Sequence, residues 1–406
     1  MSDFAELGIE DGLVQKLASM EITEPTAVQK KVIPEILAGK NVIFQSATGS
    51  GKTFAFLLPI LQKIQGEENP AKAVRLVVVS PTFELASQLR AAASSVSDLK
   101  SGLFIGGVPL KRQVESLKEK PSIVVGTPSR LLELCRLKKL KTENCAALVL
   151  DEADRLVSKE IVQESQDLMS FFGPKTQKIA CSATITKKVE KFLENARFSK
   201  AQEGGARSGL ATAPEAGFET ILLPLEDVLR EKIQHWAFFA ERRDKIETLR
   251  GLLHALGPKK TLIFASRSDQ VENIFQKLKF KKVNCAALTA NVKNQERQSI
   301  LARFRSGKTP VLITSDLSSR GLDIPDIECV VQSDFPQDED FFVHRAGRTA
   351  RAGKSGANIV IGDERELRQL AALEKKLKII VRPKALYKGK VVAAGQGQEG
   401  GGKSIE

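Results

Sequence analysis

A chain of 406 residues exceeds one ordinary core; at about 150 residues per domain it divides into two or three. Hydrophobic residues at 42%, charged residues at 27%, 29 Gly and 16 Pro exclude a disordered or collagen-like polymer. No apolar run approaches the ~20 residues of a membrane span, and the 62 Lys plus Arg against 49 acids, a net +13, favour a polyanionic partner such as nucleic acid.

The start, Met1-Ser-Asp-Phe-Ala-Glu, lacks the basic and apolar segments of a secretory leader. A cytoplasmic protein is the expectation. Cys135, Cys145, Cys181, Cys285 and Cys329 form no Cys-x-x-Cys pair, so free thiols in a reducing compartment are expected. Short Val/Ile-rich runs separated by helix-length stretches fall at 41–45, 74–79, 122–125, 147–150 and 177–181. A second series follows at 260–264, 283–288, 310–313, 329–332 and 357–361. Apolar runs of this length, alternating with helices, predict α/β domains with parallel sheets buried on both faces. The expected division is a first domain over 1–200, a linker region over 201–230, a second domain over 231–385, and a basic, Gly-rich flexible tail over 386–406. Lys384, Lys388 and Lys390 are placed on that mobile stretch as a cationic arm.

Chemistry is expected at the carboxyl ends of the strands, where loops meet helix N-termini. Residues 46–53 read Ser46-Ala47-Thr48-Gly49-Ser50-Gly51-Lys52-Thr53, between an apolar run and a helical stretch. Glycines there let backbone N–H groups surround phosphates; Lys52 supplies a cation for the β- and γ-phosphates and Thr53 a ligand for Mg²⁺. Asp151-Glu-Ala-Asp154 follows the run 147–150. Adjacent carboxylates at that strand end put Asp151 near the Mg²⁺ and Glu152 near the attacking water.

With these motifs in place, the chain resembles the DEAD-box RNA helicases of superfamily 2, over roughly residues 4 to 356. The resemblance implies two RecA-like domains, each a parallel sheet flanked by helices, with ATP and RNA bound in the cleft between them. It implies that Gln29, in Glu24-Pro25-Thr26-Ala-Val-Gln29, reads adenine and that Phe4 packs on the base. Ser182-Ala-Thr184 resembles the motif coupling hydrolysis to strand separation, and His344 shares that coupling role. His344-Arg-Ala-Gly-Arg348-Thr-Ala-Arg351 resembles the arginine-finger motif, with Arg348 and Arg351 on the transferring phosphoryl. Gly321 and Asp323 are implied near the ribose.

RNA contacts are implied at Pro81, Thr82, Gly107, Thr127 and Arg130, and at Ser266, Arg267, Arg297 and Thr314. All are loop positions suited to phosphate oxygens, so binding without sequence preference follows. Departures gather on this path: Phe83 stands where the family has a phosphate-binding Arg, Ser129 where it has Gly, and Asn294 where it has Gln. The expected activity is RNA-stimulated ATP hydrolysis that opens short duplexes or remodels RNA–protein complexes, by a monomer with no membrane partner. Two other readings share the motifs: a DNA helicase or translocase, and an ATP-gated RNA clamp that does not unwind.

Overall fold

The computed structural model describes residues 3–46, 50–67, 73–182, 184–198, 217–222, 232–257, 259–289, 291–316, 318–319, 324, 326–336, 339–350 and 354–395. It divides into one unit through Pro224 and a second from Leu225. In the first unit the chain runs α1 (Asp3–Glu6), α2 (Asp11–Ser19), α3 (Ala27–Leu37), β1 (Asn41–Gln45), α4 (Lys52–Gln65), β2 (Leu76–Val79), α5 (Phe83–Val96), β3 (Ser101–Phe104) and α6 (Leu110–Lys118). It continues through β4 (Ile123–Gly126), α7 (Pro128–Arg136), β5 (Ala147–Asp151), α8 (Ala153–Leu156), α9 (Val162–Met169), β6 (Gln177–Ser182), α10 (Lys187–Phe198) and β7 (Phe218–Leu222). The strands form one parallel sheet in the order β3-β4-β2-β5-β6-β1-β7.

Successive strand side chains point to opposite faces, and the core obeys that period. Val42, Phe44, Leu76 and Val78 join one buried cluster, while Ile43, Val77 and Val79 join the other. Both faces are covered, which is why these strands read as continuous apolar runs. The helix starts are set locally. Thr26 caps α3 through a box in which its hydroxyl accepts from the Gln29 N–H and Gln29 Oε1 accepts from the Thr26 N–H.

The second unit comprises β8 (Ile233–Phe239), α11 (Lys245–Leu256), β9 (Thr261–Phe264), α12 (Ser268–Phe280), β10 (Cys285–Leu288), α13 (Asn294–Arg305), β11 (Val311–Thr314) and β12 (Cys329–Gln332). α14 (Glu339–Ala346), β13 (Gly356–Gly362), α15 (Glu364–Leu377), β14 (Val381–Tyr387) and β15 (Lys390–Ala393) complete it. Its sheet order is β10-β11-β9-β12-β13-β8-β14-β15, parallel except for the last, antiparallel pair. Four of the cysteines are buried and Cys285 is half-buried, all as free thiols.

Two expectations are corrected. The linker region contains a strand: β7 pairs with β1 along its whole length. The expected flexible tail begins as the β14–β15 hairpin, which extends the sheet of the second unit. Lys384 therefore lies over the Trp236 ring at 5.7 Å instead of on a mobile arm. Leu386 packs against Gly251, where an added Cβ would stand 2.9 Å from its Cδ1. Strands β3 and β8 were also unexpected; Gly102 interrupts the first, and polar Gln234 and His235 break the apolar run of the second. The remaining linker positions, 201–216 and 223–231, and the tail from 396 lie outside the described residues.

Candidate active site

The phosphate-loop candidate leaves β1 and enters α4. Ser46 donates its N–H to Ser182 O at 2.9 Å, fastening the end of β1 to β6, and its hydroxyl lies 2.5 Å from that of Ser50. Ala47, Thr48 and Gly49 lie outside the described residues. Gly51 is left-handed at φ 91°, a conformation that favours glycine, and an added Cβ would meet Gln29 Nε2 at 2.7 Å. Lys52 opens α4 and Thr53 follows it. Lys52 is only 9% exposed, and its Nζ has no hydrogen-bond partner among the described residues. An unpartnered buried ammonium is costly, so it marks a place built for an anion.

β5 delivers the carboxylates. Burial, then the charge of Glu152, pushes Asp151 up to about 6, with Lys52 opposing the shift. Cys181, opposite Asp151 in the β5–β6 register, donates its thiol to Asp151 Oδ1 at 3.0 Å. Glu152 is buried and left-handed at φ 51°, a conformation costing about 1–2 kcal/mol in a residue with a Cβ. Its carboxylate pairs with Arg155 at 3.0 Å. On β6 and the turn after it, Ser182 Oγ accepts from the N–H of both Asp154 and Thr184 at 3.3 Å, and Thr184 donates to Asp154 Oδ2 at 3.0 Å. The hydroxyl motif and the acidic motif are thus joined directly.

The adenine-reading pair is placed differently from expectation. Phe4 is 0% exposed, in one core cluster with Ile9, Leu13 and Leu17, and so presents no open ring face to a base. Gln29 is buried with both ends of its carboxamide occupied: Oε1 accepts from the Thr26 N–H, and Nε2 donates to Gly51 O at 3.1 Å. In this arrangement Gln29 steadies the glycine that precedes Lys52.

Among the RNA candidates, Pro81 and Thr82 sit at the start of α5, where Thr82 accepts from the Leu85 N–H at 3.3 Å. Phe83 follows, 41% exposed. Gly107 is exposed at φ 80°, and Thr127 Oγ1 is buried with no hydrogen-bond partner among the described residues. Arg130 does not reach outward: it donates to Val108 O at 2.9 Å and pairs with Glu133 at 3.0 Å, bracing the loop that carries Gly107. In the second unit Arg267 is exposed and paired with Asp269, and Arg297 donates to Ser318 O at 3.0 Å. Thr314 is fully buried with its hydroxyl given to Leu288 O at 3.1 Å, so that hydroxyl is not presented to a phosphate.

Ser266 belongs to a network the sequence did not reveal. Arg345, 1% exposed, donates Nε to Asp316 Oδ1 at 2.7 Å and Nη2 to Asp316 Oδ2 at 2.6 Å. Its Nη1 reaches Asp334 Oδ1 at 3.2 Å, and Nη2 also reaches the Ser266 hydroxyl at 3.0 Å. The Ser266 hydroxyl in turn donates to Asp334 Oδ1 at 2.8 Å. Arg348 is buried and His344 half-buried; Arg351, Gly321 and Asp323 lie outside the described residues.

Three comparisons bear on this arrangement. Residues 26–192 match the family described as DEAD/DEAH box helicase, and residues 244–353 the helicase conserved C-terminal domain. The DEAD-box ATP-dependent RNA helicase CshC of Bacillus cereus is 35% identical over 381 residues, covering 93% of this chain and 91% of that one. The chain belongs to the DEAD-box ATP-dependent RNA helicases. It is accordingly an ATP-hydrolysing RNA helicase. A probable ATP-dependent RNA helicase of Bacillus subtilis, YfmL, is 34% identical over 90% of this chain and 92% of its own. Among solved structures, Dbp5 of S. cerevisiae bound to RNA and ADP BeF3 matches with a TM-score of 0.79 at 24% identity, over 94% of this chain and 96% of that one. Mss116p bound to ssRNA and AMP-PNP matches with 0.78 at 25% identity, over 95% and 79%. Two RecA-like units, each a parallel-dominated sheet with flanking helices, are thereby the fold of this DEAD-box chain.

Three residues of this helicase escaped the sequence reading: Cys181, Arg155 and Arg345. The first Arg of His344-Arg-Ala-Gly-Arg348 was a usable signal for Arg345. Cys181 and Arg155 gain their partners only through strand register and a helical turn.

Proposed function

We propose that Lys52 holds the β- and γ-phosphates of ATP, that Glu152 positions the attacking water, and that Arg348 and Arg351 stabilise the transferring phosphoryl. The Nζ of buried Lys52, which has no hydrogen-bond partner among the described residues, carries this reading. Thr53 and Asp151 fit Mg²⁺, a hard cation that binds through one or two protein oxygens plus phosphates and water. When bound, it supplies charge neutralisation at the phosphates. The surroundings of Asp151 agree: a carboxylate whose charge is disfavoured by burial gains from a cation.

RNA is read as the nucleic-acid partner through its backbone, along Pro81, Thr82, Gly107, Thr127 and Arg267, with Arg130 and Arg345 acting as braces behind the contact loops. Local opening of short duplexes, RNA-stimulated turnover, a monomeric state and a cytoplasmic location complete the proposal. No described helix is long and apolar enough to cross a membrane.

Glu152→Gln tests the assignment. It removes the charge that orients water yet keeps the side chain's shape, so ATP affinity should stay within about twofold while turnover falls roughly 10²–10⁴-fold. Loss of ATP binding in this variant would instead make Glu152 a structural carboxylate.

A further inference from the structure

Cys181 is in a chemical position that the roles above leave unused. It occupies the penultimate place in β6, across from Asp151 on β5 and from Phe44 on β1. The side chain is fully buried in the same apolar cluster as Phe44 and Val149. A cysteine there normally acts as a small hydrophobe filling space. This one also donates to Asp151 Oδ1 at 3.0 Å, and among the described residues no other side chain hydrogen-bonds to that carboxylate.

We propose that Cys181 is a positioning residue for the cation site, its S–H fixing the orientation of the Asp151 carboxylate while leaving the charge available to Mg²⁺. The inference rests on the assignment of Asp151 as a cation ligand. Ligating carboxylates are commonly held by an outer hydrogen bond, which selects one rotamer before the metal arrives. A thiol is a weak donor. It therefore holds the carboxylate without drawing off the charge that a guanidinium or ammonium would neutralise. Burial among apolar side chains keeps the group an S–H donor.

The test uses the full chain and ADP, with affinity measured by calorimetry in Mg²⁺ and in EDTA. Cys181→Val is close in size and donates nothing; Cys181→Ser restores a donor. The Val variant should lose about tenfold of the affinity that Mg²⁺ adds, at the lower end for an outer-shell partner, with affinity in EDTA unchanged. The Ser variant should recover most of the loss. Cys145 also donates its thiol, to Ala147 O at 3.1 Å, so the readout is the difference spectrum: wild type minus either variant should contain an S–H stretch shifted to low frequency. Equal losses with and without Mg²⁺ would reduce Cys181 to a packing residue and overturn the role. A full Mg²⁺ effect in the Val variant, or no shifted S–H band in the difference spectrum, would overturn it too. If the Val variant does not fold, the wild-type and Ser spectra still decide. A wild-type chain that binds no ADP at all would bring down the nucleotide-site assignment, and this role with it.

Discussion

Two buried cations show how differently the same kind of group is used in the two units. Lys52 and Arg345 are 9% and 1% exposed. Arg345 is surrounded: two carboxylates, a backbone carbonyl and a hydroxyl take up its guanidinium, which also lies 5.5 Å over the Phe264 ring. Lys52 has no hydrogen-bond partner among the described residues. A cation enclosed by its own chain holds loops in place. One buried without a hydrogen bond from the described residues is desolvated for something that arrives later. The chemistry of each side chain fits its use, since a planar fork suits several fixed acceptors and an ammonium suits a point charge.

The largest expected effect is on the enclosed cation. Arg345→Ala leaves the partly buried Asp316 and Asp334 uncompensated and should cost about 3 kcal/mol of stability in a denaturant titration, the low end for a broken buried pair. A loss under 1 kcal/mol would mean that water satisfies those carboxylates and that Arg345 is not a brace. Lys52→Ala should do the reverse, leaving stability unchanged or raised while ATPase activity falls at least 10²–10³-fold, as when a preorganised charge-stabilising donor is removed. RNA-stimulated turnover surviving in that variant would erase the contrast.

Asp151→Asn sharpens it from the anionic side. The folded-state carboxyl titrates near 6 against an ordinary value of 3.8, so folding takes up a proton between those values. Its stabilising contribution is complete below the ordinary value and disappears as pH rises through about 6. Without nucleotide or Mg²⁺, the Asn variant should therefore be up to about 3 kcal/mol more stable than wild type at pH 7.5, with little difference at pH 3.5. Equal stability at both pH values would show that Lys52 already compensates the charge. The smallest effect concerns an exposed position, where solvent weakens every charge. Phe83→Arg should tighten RNA binding by about 1.5 kcal/mol at low salt and steepen the salt dependence by roughly 0.7 in log–log slope. A weaker or salt-insensitive response would show that the Phe83 ring makes its own contact.

The motifs were legible because each is local. A Gly-rich turn before Lys52 and adjacent acids after a buried strand keep their meaning wherever the unit folds. Strands 76–79 and 147–150 declared themselves as unbroken apolar runs, since both faces are covered. Strands β14 and β15 did not, because Arg382, Pro383 and Lys384 break the first and the second is only four residues long; the pattern of β14 makes sense only once β8 offers Trp236 to Lys384 and α11 offers Gly251 to Leu386. The same limit explains Arg130. An arginine in Thr127-Pro-Ser-Arg130 looks available to phosphate until the loop bearing Val108 folds back onto it.

By itself the sequence determined that two α/β units carry a phosphate-binding turn, an acidic strand end and an arginine-rich motif. These properties depend on residue type and on spacing over a few positions. Only the tertiary structure decided which polar groups are consumed internally and which are left for ligands. Gln29 is engaged by Thr26 and Gly51, Thr314 by Leu288, and Arg345 by two aspartates, while Lys52 has no such bond among the described residues. The reason is physical: a buried donor is satisfied by whatever acceptor lies within about 3 Å, and residues far apart in the chain are brought that close only by packing.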